Sequence, residues 1–318
     1  MGFISGIFTV SILQSALELG FIYSLVVLAL FISFKILNIA DLSTDGCFTL
    51  GCAVAASVTI SGHPVLALFA AMGAGVLSGF ITAFLQTRLG VESILAGIIV
   101  NTGLYTVNIA AMGFSANLNL FQCDSIFTMA KDFIGESALV TGGWYKLLLL
   151  IAIILIAAVI VTLFLNTRLG LSIRATGDNA AMVKASSINP KFTITVGLCI
   201  SGSLTALSGG ILAQYQKSCD INLGTGMVTI ALASLIIGET LIGTGPVAKR
   251  IAGVIFGSCL YRFIVAVAIR LNVPAECLKL VSALIVAVAI AFPYIKENVK
   301  FTKHKYAEIA RRKKGGNA

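Results

Sequence analysis

The sequence predicts an all-α membrane protein, a polytopic helix bundle with about nine transmembrane passes, two of them made by interrupted helices. Three observations carry that expectation. Of 318 residues, 58% are hydrophobic and 11% charged, with a mean hydropathy of +1.01, whereas soluble domains carry roughly 25% charged residues. Apolar runs long enough to cross about 30 Å of hydrocarbon recur along nearly the whole chain. Lys and Arg gather in a few connecting segments, as the positive-inside bias requires of a multi-pass protein.

In chain order, full spans are expected at Leu13 to Phe34, Pro64 to Leu85, Ile94 to Met112, Trp144 to Leu165, Phe192 to Ala213, Ile251 to Leu271 and Leu278 to Ile295. Two apolar runs are shorter, Phe48 to Ile60 and Met227 to Ile242. Each follows a polar, Gly-containing stretch: Asp41-Leu-Ser-Thr-Asp-Gly46 and Asp220-Ile-Asn-Leu-Gly-Thr-Gly226. Both are therefore read as interrupted helices, the first restarting near Phe48.

Charge sets the orientation. The stretch from Lys296 to Ala318 holds Lys296, Lys300, Lys303, Lys305, Arg311, Arg312, Lys313 and Lys314 against Glu297 and Glu308. It is expected to be a cytoplasmic tail, residues 296–318, following a single transmembrane domain, residues 1–295. A basic cluster beside a membrane is more simply a contact with anionic lipid headgroups than with nucleic acid. Segment 166–191, with Arg168, Arg174, Lys184 and Lys191, also falls inside, as do Arg88 and the Lys249-Arg250 pair. The loop 113–143, with Lys131 against Asp124, Asp132 and Glu136, falls outside, and the N-terminus with it. These placements describe a multi-pass protein of the cell (inner or plasma) membrane. Two similar segments, Phe84-Leu-Gln-Thr-Arg-Leu-Gly90 and Phe164-Leu-Asn-Thr-Arg-Leu-Gly170, are both read as cytoplasmic helix exits closed by a Gly stop. Cys47, Cys52, Cys199 and Cys259 lie in apolar or Gly-rich runs, where a thiol acts as a small hydrophobe. Cys123, Cys219 and Cys277 fall in or beside outside segments and leave room for one disulfide.

Four groups of residues are candidates for chemistry. Asp41, Ser43, Thr44 and Asp45 sit where backbone departs from helix at membrane depth, which is tolerated only against protein or a wetted cavity. A solute path there competes with an ordinary turn capping two helices. Asn101, Thr102, Tyr105 and Asn108 form a polar stripe on one span, suited to bonding between helices, with Asn101 and Thr102 carried as path candidates. Asp178 or Asn179 can cap a short helix from Ala180 to Ser186 that offers Ala181, Met182 and Ala185 to a partner. Arg262, mid-span, must face the bundle interior, with Glu18, Asp41 or Asp45 as its partner. No CxxC or CxxH spacing occurs, so no metal or cofactor is expected. Without a GxxxxGK[ST] loop, HExxH or GxSxG, the chain is expected neither to cradle ATP nor to act as an enzyme.

Three stretches resemble the permeases of ATP-driven importers for branched-chain amino acids and ribose-type sugars. Leu37-Asn-Ile-Ala-Asp-Leu-Ser-Thr-Asp-Gly-Cys-Phe-Thr-Leu-Gly-Cys-Ala53 is similar to the family's broken second helix. Thr167-Arg-Leu-Gly-Leu-Ser-Ile-Arg-Ala-Thr-Gly-Asp-Asn-Ala-Ala-Met182, on to Ile188-Asn189, resembles its coupling loop. The stretch from Gly224 to Pro246 resembles its second-half motif, with Glu239 where the family commonly has a second glycine. The resemblance implies a dimer, most simply a homodimer, with the solute path along facing helices. It also implies a separate ATP-binding cassette ATPase docking on Arg174 to Ile188, so that Arg174, Gly177, Asp178, Asn179, Met182 and Ala185 carry the coupling. An external solute-binding protein or lipoprotein would deliver a small polar solute, an amino acid by this likeness, in the subgroup linked with tryptophan or tyrosine uptake. An ion-coupled secondary transporter is the alternative, since its broken helices look alike, but it has no ATPase to dock.

Overall fold

A computed structural model describes residues 10–134, 143–243, 245–270 and single positions between 280 and 291. The expected last span from Leu278 to Ile295, the tail, Cys277 and Glu136 lie outside the described residues, apart from those single positions. Eleven helices are described: α1 Val10–Leu30, α2 Thr44–Ile60, α3 Pro64–Thr87, α4 Ser93–Ala111, α5 Ile126–Ile134, α6 Trp144–Leu165, α7 Arg168–Asp178, α8 Ala180–Ala185, α9 Pro190–Gln216, α10 Met227–Ile242 and α11 Val247–Arg270. α1 runs on into a π-helical turn, Phe31–Ile36. Six of these helices, α1 with its π turn, α3, α4, α6, α9 and α11, are long and apolar enough to cross a membrane. α2 and α10, of 17 and 16 residues, reach only about 24–26 Å at 1.5 Å per residue, short of the full hydrocarbon thickness.

α1 and α9 form the centre. Each is 78% buried along its most apolar stretch, whereas α3, α4, α6 and α11 are 33% or less, so these four line the outside of the bundle. Small residues explain how helices approach α9 so closely: a Cβ on Gly75 of α3 or on Gly202 of α9 would run into the other's carbonyl. Hydroxyls supply further bonds between helices. Ser201 and Ser208 of α9 donate to the carbonyls of Ala29 (2.9 Å) and Ile22 (2.7 Å) of α1, and Ser258 of α11 donates to Gly20 (2.7 Å). In the π turn the Leu37 N–H reaches Ile32 O at 3.0 Å, five residues back, which widens α1 where the chain leaves it.

The expected spans within the described residues coincide with helices, to the residue for α6 and α10, with two departures among the connections. Segment 166–191 is not a loop with one short helix: α7 precedes α8, capped by Thr167, whose Oγ accepts from Gly170 N at 3.2 Å. Gly170 therefore stands inside a helix and is no stop, whereas Gly90, at φ +72°, does lie just past the end of α3. The second departure is in the segment expected outside, where β1 Asn117–Asn119 pairs antiparallel with β2 Ser218–Asp220, so the fold carries a small sheet as well as helices. Gln214, at the end of α9, ties this region to the bundle: it donates to Thr59 (3.2 Å) and Pro64 O (2.8 Å) and accepts from Ile126 N (2.9 Å).

Candidate solute pathway and coupling surface

After the π turn the chain takes seven non-helical residues, 37–43, before α2 begins at Thr44, four residues earlier than the sequence reading placed it. Asp41 organises this passage. Its Oδ1 accepts from the Ser43 N–H (2.9 Å) and hydroxyl (2.6 Å), Thr44 donates to its carbonyl (3.1 Å), and Thr82 of α3 donates to Ser43 (3.3 Å). Asp41, Ser43 and Thr44 are all buried and hydrogen-bonded to one another in this turn.

Asp45, one residue on, behaves differently. Its two carboxylate oxygens accept from the backbone N–H groups of Val228 and Gly226, each at 2.9 Å, at the start of α10. The loop before α10 is held on the same turn, with the Gly224 N–H donating to Thr49 Oγ1 at 3.1 Å. The N-termini of the two short helices thus meet, and an acid on the first caps the second, matching the favourable charge at a helix N-terminus. Around this junction lies a cavity of about 310 Å³ lined by Asp45, Thr49, Asn101, Thr102, Tyr105 and Asn108, and by the loop from Ile221 to Thr225. Three of the sequence-picked path residues, Asp45, Asn101 and Thr102, line it, and Asp41, Ser43 and Thr44 do not. Thr49, Asn222 and Thr225 were not singled out in advance. Thr49 is four residues from Asp45 on α2, the one sequence signal that it shares a face with it.

Arg262 meets none of the expected acids. Glu18 accepts from Tyr215 Oη (2.6 Å) and Gln14 Nε2 (3.0 Å), Asp41 holds the turn at Ser43, and Asp45 caps α10. The Arg262 guanidinium instead lies 3.6 Å from the ring centroid of Tyr23, which stacks on Phe48 of α2 at 6.1 Å. A π face holds a cation without adding a second buried ion, which resolves the charge problem that sequence alone assigned to an ion pair.

The coupling candidates divide into an inner and an outer set. Asn179, not Asp178, caps α8, accepting from Ala181 N and Met182 N at 3.0 Å each, while Asp178 ends α7. On α8, Val183 is buried and anchors the helix, leaving Ala181, Met182, Lys184 and Ala185 exposed. Gly177 faces inward: a Cβ there would overlap the Ile36 carbonyl of the π turn. Thr176 hydrogen-bonds Thr193 of α9 at 2.8 Å, and Arg174 is half-buried. Beyond the π turn, Glu239 of α10 pairs with Lys35 (2.9 Å) and Arg250 of α11 (3.1 Å), and Arg250 lies 5.0 Å from the ring centroid of Phe31. Glu239, where the family commonly has a second glycine, sits within α10. The free thiols include Cys123 and Cys219, and the Cys219 sulfur lies 4.0 Å from Met112 Sδ, so no disulfide links these two.

A multi-pass bundle with two short helices meeting over a polar cavity, and a small exposed helix docked on its end, is the architecture of a membrane permease. The chain matches the branched-chain amino acid transport system / permease component family over residues 12–291 and belongs to it. It is similar to the tyrosine transport system permease protein of Clostridioides difficile strain R20291, 32% identical over 301 residues, or 94% of this chain and 97% of that one. It is 26% identical over 258 residues to the ribose import permease protein of Escherichia coli K12, covering 79% of this chain and 75% of that one. The D-allose transport system permease protein of the same strain is 31% identical over 230 residues, 69% of this chain and 64% of that one. No solved structure matches.

Proposed function

We propose that this permease is the membrane subunit of an ATP-binding cassette importer, passing a small polar solute, an amino acid, through the cavity at the junction of α2 and α10. The observation that carries the reading is that junction: a polar, partly enclosed space built by two helices too short to span alone, as solute paths through membranes require. An amino acid cargo is favoured by the full-length likeness to the tyrosine transport permease. The chain crosses nine times with its N-terminus outside, counting the apolar run from Leu278 to Ile295 as the last pass. An external binding protein delivers the solute.

The permease works as a homodimer. Support for a second copy comes from α4, which exposes Ile94, Leu95, Ile98, Ile99 and Val107 beside the cavity mouth. A separate ATPase docks on the exposed face of α8, and its movement reaches the bundle through α7, which backs onto the π turn and α9. Copurification tests this: the full chain should bring down its ATPase, and deleting residues 178–186 should abolish that capture while leaving membrane insertion intact. Capture that survives the deletion removes the docking role of α8.

A further inference from the structure

The lining of the α2–α10 cavity is unbalanced. Among the described residues Asp45 is the single charged side chain on it, and the remaining polar groups are neutral amides, hydroxyls and a phenol. Its two oxygens accept the backbone N–H groups of Gly226 and Val228 at 2.9 Å, with the Met227 N–H also directed at the carboxylate, while a carboxylate has about four acceptor positions. Asn108 adds a second acceptor. Its amide nitrogen donates to Gly46 O at 3.1 Å, which fixes the orientation, because a flipped amide would set two acceptors against each other. The Oδ1 on the other side has no partner among the described residues, although the side chain is only 2% exposed. Buried acceptors without donors are rare in native structures.

We propose that this cavity is a solute subsite that recognises an ammonium group, with Asp45 and Asn108 Oδ1 as its acceptors. The cargo is therefore an amine-bearing solute and not a sugar or a simple anion. An ammonium brings three donors and a positive charge, which answers both the spare position on Asp45 and the orphaned oxygen of Asn108. Asn101, Asn222 and Thr225 supply neutral donors for a carboxylate on the same solute, but among the described residues no fixed cation lines the cavity to hold an anion alone. The cavity, about 310 Å³, is at the small end of the roughly 300–1,000 Å³ typical of small-molecule sites, which suits one amino acid.

The inference rests on the permease reading, and its test separates the two. The full chain with its ATPase is placed in lipid nanodiscs without binding protein and titrated with L-tyrosine, tyramine, 3-(4-hydroxyphenyl)propionate and D-ribose. Tyrosine and tyramine should bind saturably, and the other two should not. Asn108→Leu should weaken tyrosine binding about 10-fold or more, whereas Asn108→Gln, which keeps both an amide donor and a carbonyl acceptor, should retain more of it. ATPase stimulation by cargo-loaded binding protein, measured on the same nanodiscs, reports whether each variant is folded. The proposal is overturned if ribose or the propionate binds as tightly as tyrosine, if Asn108→Leu changes nothing, or if no probe binds up to millimolar concentration. Stimulation that persists without probe binding removes the subsite and leaves the permease reading standing. Absent stimulation in the unaltered protein removes the reading itself.

Discussion

Glu239 lies between two cations on different helices, Lys35 at 2.9 Å and Arg250 at 3.1 Å, so one carboxylate joins the end of α1 to α10 and α11. Because Lys35 is 42% exposed on its side chain, solvent screens that arm and its worth is about 1 kcal/mol or less. A Lys35→Met, Glu239→Gln double-mutant cycle read by thermal unfolding should return a coupling energy in that range, and several kcal/mol would mean the pair is drier than its exposure indicates. Arg262 makes the opposite prediction. Since it rests on Tyr23 and not on Glu18, the costs of Arg262→Leu and Glu18→Gln should add within about 0.5 kcal/mol, as they do for residues without a shared partner. Strong non-additivity would restore the ion pair that the sequence alone favoured. The residue types were legible in both cases, an acid in a helix and a charge at membrane depth. Their partners were not, because Glu239 is 204 residues from Lys35 (239 − 35) and only folding brings them together.

Among the elements, those decided by hydrophobicity alone were readable. α6 and α10 match their expected bounds because their ends coincide with an abrupt change from apolar to polar or glycine residues. α7 was not readable, since its Gly170, Thr176, Gly177 and Asp178 give it poor intrinsic helix propensity. Packing overrides that: Ile173 is fully buried, Thr176 bonds α9, and Gly177 fits against the π turn. Asp45 was a path candidate and does line the cavity, but its role as the cap of α10 depends on a contact with Val228 that no local pattern reveals. The fit at Gly177 carries a prediction of its own. Gly177→Val should leave the exposed face of α8 unchanged and so preserve ATPase capture, while transport is lost because α7 is pushed off Ile36. Transport at the unaltered rate would show that α7 does not relay movement through the π turn.

For the whole molecule, the described bundle holds a cavity and a short exposed helix, α8, and under the importer reading proposed above the energy for transport enters through a partner at that helix. α1 and α9 form the buried axis, the π turn of α1 lies beside both α7 and the Glu239 cluster of α10, and the short helices α2 and α10 meet at their N-terminal ends. A shift of α7 therefore has a packed route to the elements that bound the cavity, through the end of α1 to α10. The most direct test of this arrangement is solute uptake into proteoliposomes carrying the full chain, with ATPase, cargo-loaded binding protein and ATP each added or withheld. Uptake should require all three and persist when ionophores dissipate ion gradients. Uptake by the chain alone, driven by an ion gradient and abolished by an ionophore, would contradict the account.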